Sequence, residues 1–176
     1  MWNTLSRMWR TGLLTEPLPV LEPDLVASSP EFDGLQADLL AVLGRALSIR
    51  HVDAGSCNGC ELEIQALHNP YYNLEGTGIQ FVASPRHADL LLVTGPVSVN
   101  MEEALRRTYE AMPAPKLVIA IGDCGACGGI FGTSYASRGG VANILPVNTT
   151  VTGCPPTPTA ILRGILQTVR PAFAKV

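Results

Sequence analysis

Cysteine is the residue of this chain with the most chemistry to offer. Five of them stand at positions 57, 60, 124, 127 and 154. An odd count at uneven spacing does not suggest a framework of disulfides, and a chain expected in the cytoplasm rarely builds one. Thiolates are soft metal ligands and redox groups, so metal binding or electron chemistry becomes the leading use. Each cysteine also sits among glycines, in Gly55-Ser56-Cys57-Asn58-Gly59-Cys60, in Gly122-Asp123-Cys124-Gly125-Ala126-Cys127-Gly128-Gly129, and in Gly153-Cys154-Pro155-Pro156. Glycine lets the backbone come close and adopt positive φ. An iron–sulfur cubane needs that room, because its sulfides accept bonds from backbone N–H groups. The Cys57-x-x-Cys60 spacing at the start of a helix lets two thiolates reach neighbouring irons. The positive end of that helix favours their charge.

The elements that must position these cysteines follow from periodicity. A strand is expected over 47–52, a helix over 60–68, and a second strand over 79–83. The run over 90–94 is continuously apolar, as in strands buried on both faces. A helix follows over 100–112, ended by Pro113 and Pro115, and then a fourth apolar strand over 117–121. A short edge strand is expected over 144–147 and another short segment over 151–153. The last helix runs over 157–170, with Thr157 as cap, Pro158 in its first turn and Pro171 as its stop. Strands alternating with helices predict an α/β fold with a doubly wound parallel sheet. In such sheets the working crevice lies beyond the carboxyl ends of the strands. Cys57, Cys60, Cys124 and Cys154 all follow predicted strands, so the sheet would carry them to one edge.

Rival uses of the cysteines differ in what they explain. Cys57, Cys60, Cys124 and Cys127 form two Cys-x-x-Cys pairs, as in a four-cysteine zinc site. Pairs in such sites usually stand ~15–20 residues apart. Here 63 residues intervene, and Cys154 is left without a role. A thioredoxin-like dithiol at Cys57 and Cys60 leaves three cysteines unexplained. Buried free thiols would not account for the glycine-rich loops.

Three segments carry a family likeness. Cys57-Asn58-Gly59-Cys60-Glu61, Gly122-Asp123-Cys124 with Gly128-Gly129, and Gly153-Cys154-Pro155-Pro156 resemble the cluster motifs of [NiFe]-hydrogenase small subunits. They are also similar to the 20-kDa, cluster N2-bearing subunit of respiratory NADH:quinone oxidoreductase. The likeness extends over about residues 45–170 and includes Ser84-Pro85-Arg86-His87-Ala88-Asp89, Thr94-Gly95-Pro96 and Pro113-Ala114-Pro115-Lys116. It implies a flavodoxin-like fold holding one proximal [4Fe–4S] cluster, with Cys57, Cys60, Cys124 and Cys154 as ligands. Cys127 falls where the family pattern demands no ligand. The respiratory subunit has adjacent cysteines at the first position, whereas Asn58 and Gly59 intervene here, which favours the hydrogenase branch. The sequence lacks the further cysteines of uptake-hydrogenase small subunits. It therefore resembles the energy-converting, membrane-bound group of formate hydrogenlyase type. The resemblance implies three kinds of partner: a [NiFe]-type large subunit, a ferredoxin-like iron–sulfur subunit and integral membrane subunits. A related complex without nickel, acting on quinone or sulfur compounds, would contain a chain of nearly the same sequence.

Composition sets outer limits. The 176 residues fit one substantial core, and only 15% are charged against a typical ~25%. Much of the surface is therefore expected to be covered by other subunits. The net charge of −3 and the lack of a basic run disfavour nucleic acid. No apolar run approaches the ~20 residues of a membrane span, and no signal-peptide core is seen at the start. The expected place is the cytoplasmic side of the membrane, reached through partners. Residues 1–31 read as an N-terminal arm, with Trp2, Leu5, Met8, Trp9 and Leu13 at helical spacing, followed by a Pro-rich connector. Residues 32–176 are expected to form the [4Fe–4S]-binding domain that the resemblance implies, opening with a helix over 33–47. Glu61 and Glu63 beside Cys60 are candidates for proton relay or for complementing the helix dipole. Arg86 and His87 belong to a polar loop that could couple a cluster to pH, or simply face solvent. His51 and His68 read as structural, and Trp2 and Trp9 as docking residues.

Overall fold

The computed structural model describes residues 46–173, together with Ser6, Trp9 and Arg10. Those three are helical in the arm, and Trp9 is 94% exposed. Trp2, most of the arm and the helix expected over 33–47 lie outside the described residues, except that Leu47 opens the first strand.

Five strands form the sheet: β1 (Leu47–Asp53), β2 (Ile79–Phe81), β3 (Leu90–Thr94), β4 (Leu117–Ile121) and β5 (Thr149–Val151). All pair in parallel, in the order β2-β1-β3-β4-β5. This is the flavodoxin-like winding, in which the chain passes outward from β1 to β2 and then crosses to β3. The helices are α1 (Gly59–Ala66), α2 (Val99–Ala111), α3 (Gly122–Cys127) and α4 (Pro158–Phe173).

Burial explains the layering. Every residue of β3 and β4 is buried, as their unbroken apolar runs require of strands covered on both faces. In β1, Leu47 and Ile49 face one core with Ile64 and Leu67, and with Ile161, Ile165 and Val169 of α4. Val52 faces the other, with Leu91, Val93, Leu105 of α2 and Met112. Burying one such side chain fully is worth about 1.5–3 kcal/mol. Helix α4 approaches β5 closely at Gly164, where a Cβ would overlap the Cγ2 methyl of Val151.

The structure corrects three expectations. Residues 144–147 form no strand: a 3-10 turn at Val141–Asn143 precedes them, and Ile144, Leu145 and Val147 pack as a loop on the α2 side of the core. The edge strand is Thr149–Val151 instead. Pro171 does not stop α4, which continues to Phe173. A proline near a helix end loses one N–H bond and can be carried through by packing. The glycine-rich segment after β4 is a short helix, not a loop. Thr157 does cap α4, its Oγ1 accepting from Ala160 N at 3.3 Å.

Candidate metal centre

Three connections after strands build the centre. Cys57 is exposed in the turn after β1, Cys60 is the second residue of α1 and is buried, Cys124 is half-buried in α3, and Cys154 is exposed just beyond β5. All five cysteines are free thiols. The turn after β1 is drawn tight by Asp53, whose Oδ1 accepts from Gly55 N and Ser56 N at 2.8 Å each. Asn58 then turns the chain into α1 at φ +73.

Glycines let these segments meet at the sulfurs. A Cβ on Gly122 would stand 2.7 Å from Cys60 Sγ, and one on Gly129 the same distance from Cys124 Sγ. Both residues also have positive φ, so two independent constraints favour glycine there. Gly59 lies against Cys57 Sγ and the ring of Pro155, which joins the first cysteine pair to the Cys154 turn. Asp123 N donates to Gly153 O at 2.9 Å, and Gly153 N donates to Asp123 Oδ1 at 2.8 Å.

The electrostatics follow from this crowding. Burial pushes the Cys60 thiol up to about 12, helped by the negative charges of Glu61, Cys124, Cys57 and Cys154. Cys124 is also raised, by burial first and then by Cys154, Cys57, Asp123 and Cys127. Four mutually repelling thiolates are costly without a cation, and bound iron would supply that charge. Among the described residues, no three His, Cys, Asp or Glu side chains gather tightly enough to share one metal ion. A cubane asks for a wider ring, with one thiolate on each of four irons. The donor set and the glycine cradles fit that group.

Cys127 stands apart. It ends α3, is exposed, and its Sγ donates to Asp123 O at 3.3 Å. Glu61 is buried, and its Oε2 accepts from Ser56 Oγ at 2.5 Å, while Ser56 Oγ accepts from Asn58 N at 3.1 Å. Its Oε1 is buried without a hydrogen bond, 3.8 Å from His51 Nε2. His51 joins β1 to β3 through Thr94 Oγ1 at 3.0 Å. His68 packs its ring on Phe81. Arg86 and His87 are exposed on a 3-10 turn, and Glu63 is half-buried on α1. Sequence reasoning missed the Asp123 and Ser56 bonds. The Gly-Asp-Cys triplet held a hint, since an aspartate entering a helix commonly accepts backbone N–H bonds.

The profile of the family described as NADH ubiquinone oxidoreductase, 20 Kd subunit, matches residues 57–168, from the first cysteine into α4. The chain belongs to this family. One relative within reach is the "Probable membrane-bound hydrogenase subunit mbhJ" of Pyrococcus furiosus, 47% identical over 74% of this chain and 78% of that one. Formate hydrogenlyase subunit 7 of Escherichia coli is 43% identical over 84% of this chain but only 56% of its own length. An NADH-quinone oxidoreductase chain of Herpetosiphon aurantiacus is 47% identical over 61% of this chain and 60% of its own. Members of this family are thus subunits of oxidoreductase complexes, hydrogenases among them. Among solved structures, a chain of the membrane-bound sulfane sulfur reductase, an archaeal respiratory membrane complex, superposes with a TM-score of 0.63 at 31% identity over 77% of this chain and 78% of that one. A chain of an NAD+-reducing [NiFe]-hydrogenase shares the fold, with a TM-score of 0.54 at 20% identity over 70% of this chain and 92% of its own. Among the described residues no helix is long and apolar enough to cross a membrane.

Proposed function

We propose that this chain holds one proximal [4Fe–4S] cluster through Cys57, Cys60, Cys124 and Cys154. In this reading it relays single electrons between a ferredoxin-like subunit and the [NiFe] catalytic large subunit of a hydrogenase complex, on the cytoplasmic face of a membrane. The observation that carries this is the meeting of three strand-end segments at glycines that touch cysteine sulfurs. When bound, the cluster supplies one-electron exchange and the chain has no turnover alone. The chain's own residues do the rest. Asp53 and Asn58 shape the first cysteine turn, Gly122 and Gly129 leave space beside Cys60 and Cys124, and burial around Cys60 keeps water from that side.

A covered surface is supported by exposed apolar side chains next to the centre. Ile130, Phe131 and Tyr135 follow Cys127 and are 94%, 56% and 98% exposed. Apolar side chains clustered in this way mark an interaction face. Integral membrane subunits would then hold the assembly at the bilayer.

A second reading keeps the cluster and changes the catalyst: a nickel-free complex acting on quinone or sulfur compounds. The match to the sulfane sulfur reductase chain favours it. Iron, sulfide and nickel analysis with EPR on the anaerobically purified complex separates the outcomes. The expected result is a reduced cluster signal that survives Cys127→Ser and is lost in Cys154→Ser, with nickel in the copurifying large subunit. The cluster without nickel selects the second reading. Zinc in place of iron, or a signal lost in Cys127→Ser alone, overturns the ligand set.

A further inference from the structure

The segments that carry Cys124 and Cys154 are 30 residues apart in sequence and are tied at one residue. Asp123 contacts Gly153 twice and in both directions, once through its main-chain N–H and once through its carboxylate. Each residue directly precedes a cysteine, so the pair fixes two adjacent chain positions at once. Beyond this tie the turn rests on packing, with Pro155 against Gly59 and Pro156 buried. Gly153 lies at φ +134, where a Cβ would come 2.7 Å from Pro156 Cα, so no side chain can anchor it. Cys154 is exposed and makes no hydrogen bond among the described residues. β5, which delivers the turn, is an edge strand of three residues. A short edge strand defines position loosely, and a charge-assisted bond to a backbone N–H is among the stronger ties available.

We propose that Asp123 is a positioning residue that sets where Cys154 stands relative to Cys124, and that its charge lowers the reduction potential of the group these thiolates hold. This rests on the cluster reading above. The two roles separate by substitution. Asp123→Asn keeps an oxygen acceptor for Gly153 N and removes the negative charge. Asp123→Ala removes both.

The experiment uses the complete complex, purified anaerobically, with wild type and both variants. It reads iron and sulfide content, the rate of iron loss to a chelator, the EPR line shape and the midpoint potential, with thermal melting as the check on folding. Asp123→Asn is expected to retain iron and to raise the midpoint potential. Asp123→Ala is expected to melt as a folded complex yet lose iron about 10-fold faster, the scale typical of residues that orient metal ligands. Wild-type iron retention and line shape in Asp123→Ala overturn the positioning role, as does iron loss in Asp123→Asn equal to that in Asp123→Ala. An unchanged potential in Asp123→Asn overturns the charge effect. A wild-type complex free of iron and sulfide is a separate outcome and sinks the cluster reading itself.

Discussion

At the scale of single residues, the centre depends on absent side chains as much as on present ones. Gly122 and Gly129 each combine positive φ with a Cβ position 2.7 Å from a cysteine sulfur. Gly122→Ala should push Cys60 Sγ aside at the rim of one core and leave the core on the α2 side untouched. Lower iron content per chain is the expected result, with a melting temperature lowered by a few degrees through the positive-φ strain, and full iron loading would show that the sulfur yields freely. That Cys57, Cys60, Cys124 and Cys154 lie beyond strand ends was legible in the sequence, because a parallel sheet fixes where the segments after its apolar runs stand. The Asp123–Gly153 tie was not, since it joins segments whose contact depends on how β4 and β5 pair. The bond from Ser56 to Glu61 was hidden for a different reason: whether a carboxylate beside Cys60 turns inward or outward is decided by packing around α1.

At the scale of elements, legibility followed burial. β3 and β4 were readable to the residue because continuous apolar runs of four and five have few alternatives. The apolar stretch over 144–147 looked alike locally but packs as a loop, and the true edge strand contains two threonines and one valine. α3 was unreadable as a helix, since two glycines in six residues oppose helical propensity and only tertiary contacts offset them. The central strand should accordingly be the costliest to damage. Leu92→Ala removes a fully buried side chain between two paired strands and should lower unfolding free energy by about 2–5 kcal/mol in urea titration. A loss below about 0.5 kcal/mol, usual for surface sites, would contradict the core described above.

At the scale of the whole molecule, His51 links the sheet to pH. Burial lowers its pKa below 6.5, against the raising pull of Glu61 and Asp53 and with the help of Arg50. The unfolded chain therefore takes up a proton more readily than the folded one below pH 6.5. Stability then rises with pH across that window and falls on acidification. Wild type should melt at a lower temperature at pH 6 than at pH 7, and His51→Gln should flatten that slope; a slope unaltered by the substitution would assign it to other groups. The order of the sheet has a consequence for how the protein is made. β5 is the last strand in sequence and an outer strand in space, and Cys154 comes only after it. The proposed ligands Cys57 and Cys60 are made first, Cys124 follows only after β4, and Cys154 comes after β5. In the proposed cluster reading, a four-thiolate site is complete only once the chain has been made through β5 and Cys154.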